Sequence, residues 1–282
     1  MGKAKDIQVK PISSKDANRV IKRLHYSGKV VNNSKIHFGV FLDGKCGGAL
    51  QFGPSLDKRK IMSLVEGTGW NEFMELNRMA LADWLPRNGE SRAISLSIKI
   101  LKKHYPWLKW VVSFADATQC GDGAIYRASN FVLTGIKKNN QIWEAPSGEV
   151  FNDTSLHPGI GGKKQQKQAM QIASRTTLTK GSHIKDNGAS SMKAYIDAGW
   201  TPKQGFQLRY IYFLHPKEKR NLTVPIIPFS KIDEMGAGMY KGEKKQAAEA
   251  GDGSVQDHSG GSTPTQPLQS PEKINGPAKQ NS

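Results

Sequence analysis

The stretch Ser113-Phe-Ala-Asp116-Ala-Thr-Gln-Cys120-Gly-Asp-Gly-Ala-Ile-Tyr126-Arg-Ala-Ser-Asn-Phe131 carries the most structural information in the chain. It opens as the end of a continuous apolar run that starts at Trp110, the pattern of a strand buried on both faces. Asp116 closes that strand at its C-terminal edge, where ligand-facing residues gather in α/β sheets. A Gly-rich turn follows, then a short helix carrying Tyr126, then a second strand opening at Phe131.

Working outward, the residues on either side alternate between strand and helix patterns. Residues 16–26 place Val20, Ile21 and Leu24 at helical spacing, with Ser13 or Ser14 as N-cap. Residues 36–42 and 46–52 are apolar, partly alternating runs joined by Asp43-Gly44, a strong hairpin signal. Residues 73–81 predict a further strand. After the break at 86–92, a helix presents Ala93, Ile94, Ile98, Ile100 and Leu101 on one face and turns Lys99, Lys102 and Lys103 away, until Pro106 stops it. Residues 206–214 alternate into a closing strand. Mixed strands and helices around one antiparallel hairpin predict an α/β or α+β fold, a mixed central sheet flanked by helices. The order strand, Asp116, turn, Tyr-bearing helix and Asn130-Phe131 is similar to the active-site end of GNAT-type acyltransferases.

We expect an N-terminal segment over 1–15, a single GNAT-like catalytic domain over 16–240 with a polar insertion at 137–190, and a tail over 241–282. From residue 251 onward the tail is Gly, Ser, Pro, Gln and Asp, too poor in apolar residues to offset ordering entropy, which predicts disorder.

At 282 residues the chain is long enough for a substantial core. Its 41 Lys and Arg against 24 Asp and Glu give a formal charge of +17. The two signs balance beyond residue 241, so the excess sits on the folded body, which suits a polyanionic partner. No apolar stretch approaches membrane-spanning length, so no membrane is expected. The first residues lack a signal-peptide core, and Cys46 and Cys120 stand far apart in no metal-binding pattern. A reducing cytoplasm is the expected compartment, and Cys120 reads as a small unreactive residue.

Several residues are candidates for chemistry. The turn Arg87-Asn88-Gly89-Glu90-Ser91-Arg92-Ala93 sits at a helix start, where free N–H groups and the helix dipole suit a phosphate or pyrophosphate; an ordinary capped start reads as well. Tyr126 has the place of a general acid, with packing as the alternative. Asp116 is a candidate base, amine-orienting group or metal ligand, or a turn former. His25, beside Tyr26, is a base, a metal ligand or a structural imidazole. Alternation along Glu75-Leu-Asn77-Arg78 puts Glu75 and Asn77 on one face and Arg78 on the other, where Arg78 clamps an anion or pairs with an acid. Trp143, in the polar insertion, is a platform for stacking a base, with Lys163, Lys164 and Lys167 as phosphate contacts. The alternative is a core tryptophan and a solvated loop.

Taken together, Leu-His25-Tyr26-Ser, Glu-Leu-Asn-Arg78, Arg-Asn-Gly-Glu-Ser91-Arg-Ala, Ser-Phe-Ala-Asp116, Gly-Ala-Ile-Tyr126, Asn130-Phe131, Gly199-Trp200 and Arg209-Tyr-Ile-Tyr-Phe-Leu, in this order, resemble the Mom family of phage DNA-modification proteins. The likeness runs over most of residues 21–214. It implies a divergent GNAT-like fold and conversion of adenine in double-stranded DNA to its N6-carbamoylmethyl form, which shields phage DNA from host restriction enzymes. It gives functional weight to His25, Tyr26, Arg78, Ser91, Asp116 and Tyr126, and associates the family with iron, for which His25 and Asp116 are plausible ligands. Asn88, Gly89, Ser91, Arg92 and Arg78 would hold the donor, an acyl-CoA or another acyl or aminoacyl carrier such as a charged tRNA. The expected locale is the bacterial cytoplasm during infection, and a homodimer is one assembly open to the chain. Two other classes compete: an N-acetyltransferase of a protein or small amine, and a basic DNA-binding protein without catalysis.

Overall fold

The computed structural model describes residues 3–117, 121–146, 148, 150–152, 196, 199–240 and 243–244. The chain divides into a unit over 1–246 and a second over 247–282, and every described residue belongs to the first. Lys163, Lys164, Lys167, Cys120 and the expected tail beyond residue 244 lie outside the described residues.

One eight-stranded sheet organises the first unit, in the order β1-β2-β3-β4-β5-β8-β6-β7. The strands are β1 (Gln8–Pro11), β2 (Ile36–Leu42), β3 (Lys45–Gly53), β4 (Phe73–Leu81), β5 (Trp110–Asp116), β6 (Val132–Glu144), β7 (Val150–Asn152) and β8 (Thr201–Phe213). The helices are α1 (Ser14–Leu24), α2 (Lys58–Met62), α3 (Gly89–His104), α4 (Ala124–Arg127) and α5 (Ser230–Glu234). A two-residue pair, β9 (Met239–Tyr240) with β10 (Glu243–Lys244), follows.

The hairpin forms where the turn chemistry demands it. Asp43 and Gly44 both take positive φ, 50° and 76°, and close β2 onto β3 with Leu42 opposite Lys45. Such a two-residue turn matches the twist of its strands. Ser13 caps α1, accepting the Asp16 N–H at 3.1 Å. The helix stops at Leu24, two residues before the expected end, and His25 becomes its C-cap.

Helices cover both faces. On one, Ala93, Ile94, Ile98 and Leu101 of α3 pack with Phe38, Leu50, Phe52 and Leu76. On the other, Ala17, Val20 and Ile21 of α1 meet Ala49 and Ala80. Beside them Phe73 stacks on Trp110 at 4.5 Å, and the Trp110 indole donates to Thr68 Oγ1 at 3.0 Å. Fully burying one such aromatic contributes about 1.5–3 kcal/mol.

Two boundaries differ from expectation. β1 joins the sheet edge through Gln8–Pro11, so the N-terminal segment belongs to the domain. β6 runs on to Glu144, so the first residues of the expected insertion are sheet. Trp143 is therefore not an exposed stacking platform: it is 7 % exposed, paired in register with Phe151 and Pro202. Its polar neighbours in sequence hid a partner strand some sixty residues away.

Among the described residues the sheet contains one parallel pair. β4 and β5 hold together only at Phe73–Trp110, Met74–Val111 and Glu75–Val112. Beyond Glu75 they part, while each keeps its antiparallel partner on the outer side. The sheet opens there.

Candidate functional site

A bulge places the side chains that line this opening. In the β3–β4 register Gln51 faces Arg78, but the next residue, Phe52, faces Leu76, which leaves Asn77 as an extra residue. Such a bulge switches which face the following residues occupy. Glu75 lies opposite Gly53 and Arg78 opposite Gln51, two residues apart on β3, so Glu75 and Arg78 share a face. Strict alternation would separate them.

Asn77 then fastens the surroundings. Its Oδ1 accepts from Ser34 Oγ at 3.0 Å and its Nδ2 donates to the Pro54 carbonyl at 3.3 Å. Arg78 donates through Nε to the Lys29 carbonyl at 3.2 Å and through Nη1 to the Asn77 carbonyl at 2.7 Å. Its guanidinium thus ties the segment after α1 to β4, and only part of its fork remains to clamp an anion.

Two cavities meet at the opening. The first, about 670 Å³, is lined by the end of β4, by Glu90 of α3, by His25 and by the 121–126 turn with Tyr126. The second, about 770 Å³, is lined by the loops around Val30–Asn33 and Pro54–Asp57, by Glu75 and by Gln207. Tyr26, Leu76, Asn77, Arg78, Phe114 and Asp116 line both. Volumes of this order suit small-molecule sites.

His25 reaches the first cavity because α1 ends just before it. Its Nδ1 accepts the Ser27 backbone N–H at 3.2 Å and lies 2.9 Å from Ser27 Oγ. Burial, helped by the Arg78 charge, lowers its pKa to about 4. The imidazole is neutral at pH 7, and since Nδ1 accepts, its proton sits on Nε2. His25 therefore offers an N–H donor rather than a base. Tyr26 stacks on it at 4.4 Å and remains 58 % exposed.

Asp116 ends β5 opposite Gln207. From Gly121 onward the chain is tied down by side-chain contacts. Asp122, buried, pairs with Arg127 at 3.1 Å, and the Tyr210 hydroxyl donates to the Asp122 carbonyl. Gly123 takes φ 75°, and a Cβ there would stand 2.6 Å from the Tyr210 ring. Only glycine meets both demands. Tyr126 is held between Phe131, at 5.5 Å, and Tyr210, at 5.2 Å, and is nearly buried while lining the first cavity.

The helix-start turn is arranged differently from the expected anion cradle. Asn88 takes φ 66° with no side-chain cap. Gly89 is buried against Ile7, Ser91 Oγ donates to the Asn88 carbonyl at 3.2 Å, and Arg92 reaches the Lys5 carbonyl at 3.5 Å. Of these residues only Glu90 lines the cavity, and an acid there opposes a pyrophosphate.

Nor do the residues fit iron as expected. Among the described residues no three His, Cys, Asp or Glu side chains come together to hold a metal. His25 has Nδ1 engaged by a donor and the proton on Nε2, so neither nitrogen offers the lone pair a metal needs. Both His25 and Asp116 line the first cavity, but they do not form a ligand set.

Glu75 is a site member that its sequence pattern does not single out. Burial raises its pKa, against the opposing pull of the polar Ser55 and Asn77 side chains and the Arg78 charge. Its proximity to Arg78 in Glu-Leu-Asn-Arg is visible in the sequence, but the shared face depends on the bulge.

Comparison with known proteins adds a family and a relative. The profile of the Mom protein family matches residues 6–231. Methylcarbamoylase mom of Escherichia phage Mu is 44% identical over 155 residues, which is 55% of this chain and 63% of that protein. The chain thus matches less than two thirds of that relative's length. Among solved structures, spermidine/spermine N-acetyltransferase SpeG of Vibrio cholerae is 8% identical, with a TM-score of 0.40, over 78% of this chain and 99% of that one. The ribosomal-protein-S18-alanine N-acetyltransferase of Escherichia coli is 16% identical, with a TM-score of 0.35, over 51% and 88%. The fold class rests on the strand order and the helices on both faces, not on likenesses at this level. No helix among the described residues is long and apolar enough to cross a membrane.

Proposed function

Since the chain belongs to the Mom protein family, we propose that it is a DNA-modifying transferase that converts adenine in phage DNA to N6-(carbamoylmethyl)adenine and so protects that DNA from host restriction endonucleases. The observation that carries this reading is the pair of cavities joined at the parting of β4 and β5. A group transfer between two substrates needs each to approach the reacting atoms from its own side. The likeness to a methylcarbamoylase and the +17 charge support DNA as the acceptor.

In this reading the adenine leaves the duplex and enters the second cavity, which the loops around Val30–Asn33 and Pro54–Asp57 enclose. Its N6 lone pair is delocalised into the ring, so the site must take a proton as the new bond forms. Asp116, in the wall common to both cavities, is the base. His25 is not, because its acceptor nitrogen is already used; its Nε2–H is a donor that holds a developing negative charge. Tyr26, exposed and lining both cavities, stacks on the base. Tyr126 donates from the first cavity to the departing group.

The donor, an acyl or aminoacyl carrier, occupies the first cavity. It supplies the methylene carbon of the carbamoylmethyl group, to which N6 bonds. The bond that breaks is the one between that carbon and its leaving group, which takes a proton from Tyr126 as Asp116 takes one from N6; plain acyl transfer, which joins N6 to a carbonyl carbon, does not give this product. Glu90, where a cation would receive a pyrophosphate, favours a donor whose charged part lies elsewhere or carries an amine. Arg78 keeps the segment after α1 in place between the two substrates.

The test is expression in bacteria, nuclease digestion of the DNA and mass analysis of the nucleosides. Deoxyadenosine heavier by a carbamoylmethyl group is the expected product. Unmodified deoxyadenosine alone, from folded protein, contradicts the reading.

A further inference from the structure

The rim of the second cavity carries an exposed apolar side chain followed by a run of cations. Leu56 stands at 102% exposure in the loop between β3 and α2, and it lines that cavity. A lone exposed leucine is ordinary. This one differs in its setting.

Its neighbours are fixed. The Pro54 carbonyl is held by Asn77, Ser55 is buried at 4% exposure, and Ile61 of α2 is buried in the core. Asp57 caps α2 by accepting the Lys60 N–H at 3.3 Å, which aligns the helix against the loop. The leucine is thus an apolar tip on a braced stem. Immediately after it come Lys58, Arg59 and Lys60, with Asp57 the single acid among them. Arg59 and Lys60 are exposed, and Lys58 lies over the ring of Trp70 at 4.3 Å, Trp70 itself being 51% exposed.

An apolar point beside a cavity large enough to take a base, followed by cations, is the arrangement needed to open a duplex. Removing a base from the stack leaves a gap that an inserted apolar side chain fills, while nearby cations hold the phosphates. We propose that Leu56 is the wedge that enters double-stranded DNA as the target base passes into the second cavity, with Arg59 and Lys60 gripping the adjacent phosphates. This rests on the reading that the second cavity receives an adenine, and it adds the element that makes a duplex, rather than a free nucleotide, the substrate.

The test uses the full chain and a DNA duplex with 2-aminopurine replacing adenine along one strand, whose fluorescence rises when the base unstacks. Binding is followed in parallel by anisotropy. The wild type binds and raises the fluorescence. Leu56→Ala is expected to bind within roughly twofold, because phosphate contacts dominate affinity, yet to lose most of the fluorescence rise. Leu56→Phe retains it, and a thermal melt equal to the wild type shows that the fold is intact. Arg59→Ala with Lys60→Ala weakens binding and lowers the salt slope by about one for each phosphate that is no longer gripped. A full fluorescence rise with Leu56→Ala overturns the wedge while leaving the adenine cavity standing. A wild type that binds the duplex without any fluorescence rise overturns base extrusion itself, and the wedge with it.

Discussion

The two cavities at the opening of the sheet are built by different means. The first is walled by regular structure: the end of β4, the start of α3 and the locked turn from Gly121 to Tyr126, with Gly123 wedged under Tyr210. The second is walled by loops, the segment around Val30–Asn33 and the loop carrying Leu56, tied down by single side-chain bonds from Asn77 and Arg78. A wall of regular structure fixes reacting groups to fractions of an ångström. A wall of braced loops admits a large partner and still returns to one shape. The side chains proposed to carry the chemistry stand where the two kinds of wall meet.

The strongest way to break this comparison is to change Asp116, one of the residues that line both cavities. Asp116→Asn keeps the shape and removes the proposed base. Modified deoxyadenosine should fall about a thousandfold, within the range for a lost general base, while DNA binding stays. Activity near wild type would move the base elsewhere, with Glu75 next in line.

The loop wall is tested at Arg78. Arg78→Lys retains the charge, but a single ammonium cannot bridge the Lys29 and Asn77 carbonyls. Losing one such charged hydrogen bond costs about 1.5–3 kcal/mol. Faster amide exchange confined to residues 25–31, with α3 unchanged, is the expected signature. Uniform loosening of the domain would mean that the two walls are not independent.

The regular wall is tested at Gly123. Gly123→Ala meets positive φ and the Tyr210 ring together, and should lower global stability by about 1–3 kcal/mol in a denaturant melt. No change would show that the turn is looser than its packing implies.

The smallest effect is electrostatic. His25 is held neutral down to about pH 4. As pH falls from the ordinary imidazole range towards that value, the unfolded chain binds the proton first, so stability declines. Glu75, raised by burial, acts the other way, since the folded state takes its proton first. A proton NMR titration should give His25 a midpoint near 4, with the decline shallower in His25→Gln; a midpoint near 6.5 would return His25 to the role of a base.

Much of the first wall was legible in the sequence. The run from Trp110 to Asp116, the glycine turn and Tyr126 are contiguous, and local residues dictate their conformation. The Asp43-Gly44 hairpin was legible for the same reason. The second wall was not, because it depends on where β4 gains a residue. The bulge at Asn77 arises from pairing with β3, and it alone brings Glu75 and Arg78 to one face. The tautomer of His25 was equally hidden, being set by a backbone N–H two residues on. Trp143 misled because its burial comes from β7 and β8, not from its neighbours in sequence.

The central claim, that the base sits in the loop-walled cavity and the donor in the other, is most directly tested by photo-crosslinking. A duplex carrying 8-azidoadenine would be irradiated with the full chain and the attachment sites mapped by peptide mass analysis. Crosslinks at residues 30–33 and 54–57 and at Tyr26 are the predicted result. Crosslinks at Met79, Glu90 or residues 121–126, with none in the loop-walled cavity, would contradict it.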